Sequence, residues 1–299
     1  MNQPNEILNQ PRESKFKTSM KLTRASWRVI KLDKEILGAG AIGLLVGLVI
    51  IGLYVAALIF GDSVFFTNSE DYTPTIWFYL LTLLVMFVSY IALNFYAGAI
   101  SHTAFRRFEG ENPTFSESIG AARARIPGLI NFSALQATIG LVLNILEERL
   151  PIAGKIAVWL TGATWGVASM FAIPLIMDKD ERNPITAVKL SARTFLSIWK
   201  ESAFIGLSLG LIGIAAFVIL ALASGALIVI AVMMSSLIIG VIAGGLFLLG
   251  LFALSIVTQS LQTVVMTAAY YYSSRGKMPA GFDEELIRSM FRPKKKWLS

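Results

Sequence analysis

Apolar positions along this chain come in long unbroken stretches, not at the three-and-four spacing of a surface helix or the alternation of a half-buried strand. The stretches 36–60, 75–105, 129–146 and 156–177 hold no Lys, Arg, Asp or Glu, and 203–274 runs for 72 residues without any of these or a His. About 20 apolar residues cross a bilayer core of roughly 30 Å. The pattern therefore predicts an all-α, polytopic transmembrane helix bundle. The long run is expected to hold two spans, 203–232 and 238–272, with the turn near 233–237, where Ser235 and Ser236 interrupt the aliphatic residues. Two helices of about 32 residues would each be roughly 48 Å long, so they must tilt or project.

Charge sets the direction of threading. Eight basic residues stand in the first 35, four in 106–128, five in 178–202 and seven from 275 onward. The loop 61–74 has none, and 147–155 has only Arg149 and Lys155. By the positive-inside rule this alternation puts both termini in the cytoplasm and gives six spans, because a seventh would carry the basic tail outside. The membrane domain is expected over 18–274, after a disordered cytoplasmic N-terminus at 1–17. No signal peptide is expected, since the first apolar run starts near residue 36, behind a polar stretch.

Basic, amphipathic segments precede the hairpins. KLTRASWRVIKLDKE begins at Lys21 and KLSARTFLSIWKES at Lys189, while NPTFSESIGAARARIPGL from Asn112 shares Asn-Pro with Asn183-Pro184. Six spans then read as three hairpins, each preceded by an amphipathic interfacial helix, related as parallel repeats. Such helices either lie in the headgroup plane or extend the spans into the cytoplasm. Thr114 and Glu117 have capping-box spacing behind Pro113, which predicts a helix start there.

Composition narrows the chemistry. With 15% charged residues, no Cys and a single His, the chain cannot build thiolate metal sites, disulfides or multi-histidine centres of its own, and no cofactor is expected. Ionisable side chains are missing from the span interiors apart from His102 near one end, which counts against ion-coupled transport. Acids at 178–181 are expected to form solvated pairs with Lys179 and Arg182. Neutral polar residues do recur at helical spacing: Tyr90, Asn94, Gly98 and His102; Asn131 and Gln136; Ser255, Gln259, Gln262 and Thr267. Asn94, His102, Gln136, Gln259 and Gln262 are thus candidates either for interhelical hydrogen bonds or for a polar cavity open to the cytoplasm. Glycine pairs four apart (Gly43 and Gly47, Gly162 and Gly166, Gly206 and Gly210, Gly240 and Gly244) predict close helix packing. Aromatic belts are expected at Trp77–Phe78–Tyr79 and at Tyr270–Tyr271–Tyr272.

The tail 275–299 reads as a basic amphipathic helix. Phe282, Leu286, Ile287, Met290 and Phe291 share one face, and Arg288, Arg292, Lys294, Lys295 and Lys296 are candidates for anionic lipid headgroups on the cytoplasmic side. A net charge of +7 needs no nucleic acid to explain it, because the bases flank spans.

The stretches SWRVIKLDKEIL and YYYSSRGKMPAGFDEELIRSMFRPKKK resemble an uncharacterised family of small prokaryotic six-helix membrane proteins. The resemblance runs from about Thr23 and implies a prokaryotic cell membrane and six helices. It implies no activity. Three functions remain in view: a noncatalytic membrane-organising or assembly protein contacting lipids, a second copy or a membrane partner; a passive channel or transporter for a small neutral or lipidic solute; and a lipid-modifying enzyme. The enzyme ranks last, since no nucleophile stands with a base and no carboxylates cluster in a span.

Overall fold

Long apolar segments fold as helices because, in lipid, every backbone N–H and C=O must be satisfied within its own segment. The computed structural model describes residues 34–67, 73–199, 205–234 and 237–280. In chain order the helices are α1 (Lys34–Phe60), the short α2 (Asp62–Phe65), α3 (Ile76–Phe108), α4 (Phe115–Ala124), α5 (Ile126–Arg149), α6 (Ile152–Ser169), α7 (Ala172–Lys179), α8 (Pro184–Trp199), α9 (Ile205–Met233) and α10 (Leu237–Arg275). Among the described residues, five stretches are long and apolar enough to cross a membrane: Leu37–Phe60, Ile76–Phe108, Ile126–Arg149, Ile152–Lys179 and Ile238–Arg275. Within α9 the described apolar stretch is Phe217–Ile230. The chain is an all-α, polytopic membrane helix bundle.

The central element is α3. It packs against α1, α4, α5, α7 and α10, whereas α9, among the described residues, lies along α10. The buried core sits toward one end of the bundle, where Ile100, Ala104 and Phe105 of α3 meet Leu129 and Phe132 of α5, Leu175 and Ile176 of α7, and Val264, Val265 and Tyr270 of α10. At the opposite end, and along α1 and α9, large apolar side chains such as Leu53, Ile59, Ile219 and Leu222 stay exposed. That is the distribution expected of a bundle whose outer solvent is lipid.

The fourth apolar stretch, expected as one span over 156–177, is one apolar stretch from Ile152 to Lys179 whose helix is interrupted. It breaks at Met170–Phe171 into α6 and α7. Pro174 explains the break, since a helical proline offers no N–H to the carbonyl four residues earlier, that of Met170, and its ring crowds that carbonyl. The freed Phe171 N–H donates to the buried hydroxyl of Ser191 on α8 at 3.0 Å. At the break the Phe171 N–H thus finds an acceptor on a neighbouring helix in place of the Val167 carbonyl, which accepts from the Met170 N–H.

The amphipathic segments dock on the bundle. Ser118 and Ala122 of α4 are buried, with α4 packed on α3, and α8 packs against α5, α6 and α7. Helix α4 starts as its sequence predicts: Thr114 Oγ1 accepts from Glu117 N–H at 3.3 Å, and the Glu117 carboxylate accepts from Thr114 N–H at 2.7 Å. Those bonds hold the Glu117 carboxyl below the ordinary glutamate range. The segment at 21–33 and the tail at 281–299 lie outside the described residues.

Of the paired glycines whose surroundings are described, Gly43 is tightly packed; those of Gly206 and Gly210 lie outside the description. A Cβ at Gly43 would meet the Tyr96 ring at 2.9 Å, but Gly47, Gly166 and Gly244 face open space and Gly162 has ordinary clearance. A close approach to backbone falls at Gly128 of α5, unpaired in the sequence, where a Cβ would stand 2.5 Å from the backbone oxygen of Glu181.

Candidate functional site

Polar groups carried by α3 point at its neighbours one by one. Asn94, 7% exposed, donates through Nδ2 to Gln136 Oε1 at 2.6 Å and to Ser133 Oγ at 2.8 Å, both on α5. Ser101 accepts from Thr267 of α10 at 3.1 Å, and Thr103 shares a 2.7 Å bond with Ser118 of α4. Farther along, the hydroxyls of Thr82 and Tyr54 of α1 are 3.0 Å apart. Hence α3 is tied by side-chain hydrogen bonds to four helices, of which the sequence stripes single out Asn94, Gln136 and Thr267. Ser101, Ser133 and Thr103 escape a reading by stripes because small hydroxyls are common in membrane helices and carry no spacing signal of their own.

Among the described residues, the remaining candidates make no side-chain hydrogen bond to the Asn94 group. Gln259 is half-buried on α10, while Gln262 is exposed on the bundle surface. Asn131 donates to the Arg182 backbone carbonyl at 2.9 Å, tying α5 to the α7–α8 loop. His102 is half-buried and lines a half-open cavity of about 260 Å³ with Arg106, Glu111, Asn112, Pro113 and Glu117. Charges there are already engaged, since Arg106 pairs with Glu111 and Glu117 caps α4. Arg288, Arg292, Lys294, Lys295 and Lys296 lie outside the described residues.

An ion cluster closes the crowded end, and here the expectation of solvated local pairs fails. Asp178, at the end of α7, accepts from Tyr270 Oη at 2.9 Å and from Arg275 Nη2 at 3.1 Å. Arg275 also pairs with Glu109, just past the end of α3, and its guanidinium stands 5.0 Å from the Tyr271 ring centroid and 5.7 Å from that of Phe105. Asp180 keeps a local ion pair with Arg182 at 3.5 Å and shares Arg125 at 3.4 Å, while Glu181 accepts from the Asn183 N–H at 2.8 Å. Tyr270 and Tyr271 are accordingly buried against the protein rather than turned outward. Their rings meet Phe105 and Phe108 at centroid distances of 6.0 and 5.6 Å, because a carboxylate inside the bundle end offers the Tyr270 hydroxyl a partner.

This arrangement can hold helices in register and fix one end of the bundle. Among the described residues no three His, Asp or Glu side chains stand close enough to hold a metal ion. No curated protein matches the chain. A family model does, over residues 75–282, which takes in α3 through α10 and the Tyr-rich turn but leaves out the first apolar helix and the basic end of the tail. The match spans the polar contacts of α3 with α4, α5 and α10 and the whole Asp178–Tyr270–Arg275–Glu109 cluster, and by it the chain belongs to the Family of unknown function (DUF6159).

Proposed function

We propose that the protein is a noncatalytic organiser of a prokaryotic cell membrane, built as three hairpins of two spans with both termini cytoplasmic, and working through contacts to lipids or to a protein partner. One observation carries this reading. The buried polar side chains of α3, Asn94, Ser101 and Thr103, are spent on neighbouring helices, with Asn94 held by both Gln136 and Ser133. A permeation pathway needs polar groups left facing water. In this reading α9 supplies the fifth span, the broken α6–α7 segment the fourth, and Arg288, Arg292 and the three lysines at 294–296 engage anionic headgroups at about 1 kcal/mol per basic residue near the surface.

The test is reconstitution of the full chain in liposomes. Glycerol and urea should equilibrate no faster than across protein-free liposomes, and a cysteine at Gln136 should resist a water-soluble maleimide. Rapid swelling in glycerol, or ready labelling at position 136, overturns the organiser in favour of a passive channel. On the positive side, photoactivatable anionic lipid should label the tail, and Lys294→Gln, Lys295→Gln and Lys296→Gln together should reduce that labelling.

A further inference from the structure

At the end of the bundle remote from the ion cluster, α3 and α5 diverge and leave a cleft of about 380 Å³. Its walls are Ile76, Leu80 and Leu83 from α3 and Leu141 and Ile145 from α5. Two polar side chains, Tyr79 and Arg149, also line it. Among the described residues Arg149 has no ion pair and the Tyr79 hydroxyl no hydrogen-bond partner, in contrast with Asn94, Ser101 and Thr103 of α3. Lined this way, the cleft is apolar along one helical face, about 10 Å from Ile76 to Leu83 at 1.5 Å per residue, with donors at its edge.

We propose that this cleft is a binding site for one amine-bearing zwitterionic phospholipid, the phosphate taken by Arg149 and Tyr79 and an acyl chain lying along Leu80, Leu83, Leu141 and Ile145. Charge complementarity selects this occupant. Guanidinium is the side chain best suited to a phosphate, presenting a planar fork of donors. Glu147 and Glu148 precede Arg149 in the last turn of α5, and Glu148 stands three residues beyond Ile145, on the same helical face. That turn therefore carries one cation beside two anions. It repels a headgroup with net negative charge and welcomes one whose ammonium can reach a carboxylate. Arg149 is also one of only two bases on the side that the six-span topology puts outside, where the membrane-insertion rule gives no reason for a base.

The site names a lipid class for the organising role and rests on that reading for its biological meaning, though not for its chemistry. The full chain, purified in mild detergent, is incubated with equal amounts of phosphatidylethanolamine, phosphatidylglycerol and phosphatidylcholine and weighed intact by native mass spectrometry. One phosphatidylethanolamine should stay bound preferentially. Arg149→Gln should weaken its retention roughly tenfold, as expected for loss of a charge-assisted hydrogen bond, and Glu148→Gln should bring phosphatidylglycerol level with it. Leu83→Trp, which fills the cleft without touching a charge, should displace the lipid, whereas Lys155→Gln should leave it in place. Retention unchanged by both Arg149→Gln and Leu83→Trp, or equal retention of all three lipids by the native chain, overturns the site. Those results would leave the organiser to its own test, and solute flux through liposomes would sink the organiser while leaving the lipid site standing.

Discussion

Tyr270 Oη donates to Asp178 Oδ2 at 2.9 Å, joining α10 to the end of α7 across 92 positions of chain. The same carboxylate accepts from Arg275 Nη2 at 3.1 Å, and its side chain is only 19% exposed. A carboxylate with two donors and little water is costly to delete, because both donors lose their acceptor in a place solvent barely reaches.

Asp178→Ala should therefore destabilise the bundle by about 2 kcal/mol, and Tyr270→Phe by about 1 kcal/mol. The double variant should lose less than the sum of the two, since the bond they share is removed once. Unfolding of the detergent-solubilised chain in increasing SDS measures all three. Strict additivity would mean that the Tyr270–Asp178 bond adds nothing to stability.

The second prediction concerns Asn94. Its two bonds to α5 cross an interface where each interhelical hydrogen bond is worth roughly 0.6 kcal/mol. Asn94→Leu should cost about 1 kcal/mol or somewhat more, because the buried Ser133 and the half-buried Gln136 both lose a partner. Gln136→Leu alone should cost less, as Asn94 keeps Ser133. SDS unfolding again reads the difference, and equal costs would contradict the two-acceptor arrangement.

A third prediction follows from the break between α6 and α7. Ser191→Ala leaves the Phe171 N–H, buried at the break, without its acceptor, at a cost of about 1–3 kcal/mol. In a Pro174→Ala background the helix can close through Met170, and removing the Ser191 hydroxyl should then cost little. An undiminished Ser191→Ala effect in that background would show that the hydroxyl matters for some reason other than the proline.

Legibility followed the range of the interaction. Apolar stretches and the capping box at Thr114 are local, so they can be read from composition and spacing. Asn94 and Gln136 stand out because an amide in a span has few reasons to be there other than a partner. Asp178 misleads for the opposite reason: Lys179 and Arg182 offer nearby partners, while Arg275, 97 positions away, takes the carboxylate. Tyr270–Tyr271–Tyr272 looks like an interfacial belt because a run of tyrosines does not say which rings the helix turns inward. Spacing likewise picks Gly166, which faces nothing within 4 Å, and passes over Gly128, whose role depends on a loop carbonyl more than 50 residues away. Pro174, by contrast, is a local mark of the break between α6 and α7.

The last prediction is the topology, and burial decides where it can be probed. A chain without Cys accepts single-cysteine labelling directly. Ser191, placed by charge on the cytoplasmic side, is fully buried against Phe171 and would stay unlabelled whichever side it faced. Arg193 is exposed two residues later on α8 and reports the side without disturbing the break. With six spans, a cysteine at Ser69 should react with an impermeant maleimide on intact cells, and cysteines at Arg193 and Ser289 only after permeabilisation. The pair at 193 and 289 brackets α9 and α10, so their agreement tests whether the chain crosses the membrane an even number of times between them. Labelling of Ser289 in intact cells, with Arg193 still protected, would mean that α9 and α10 together cross an odd number of times, and the basic tail could then not meet cytoplasmic headgroups at all.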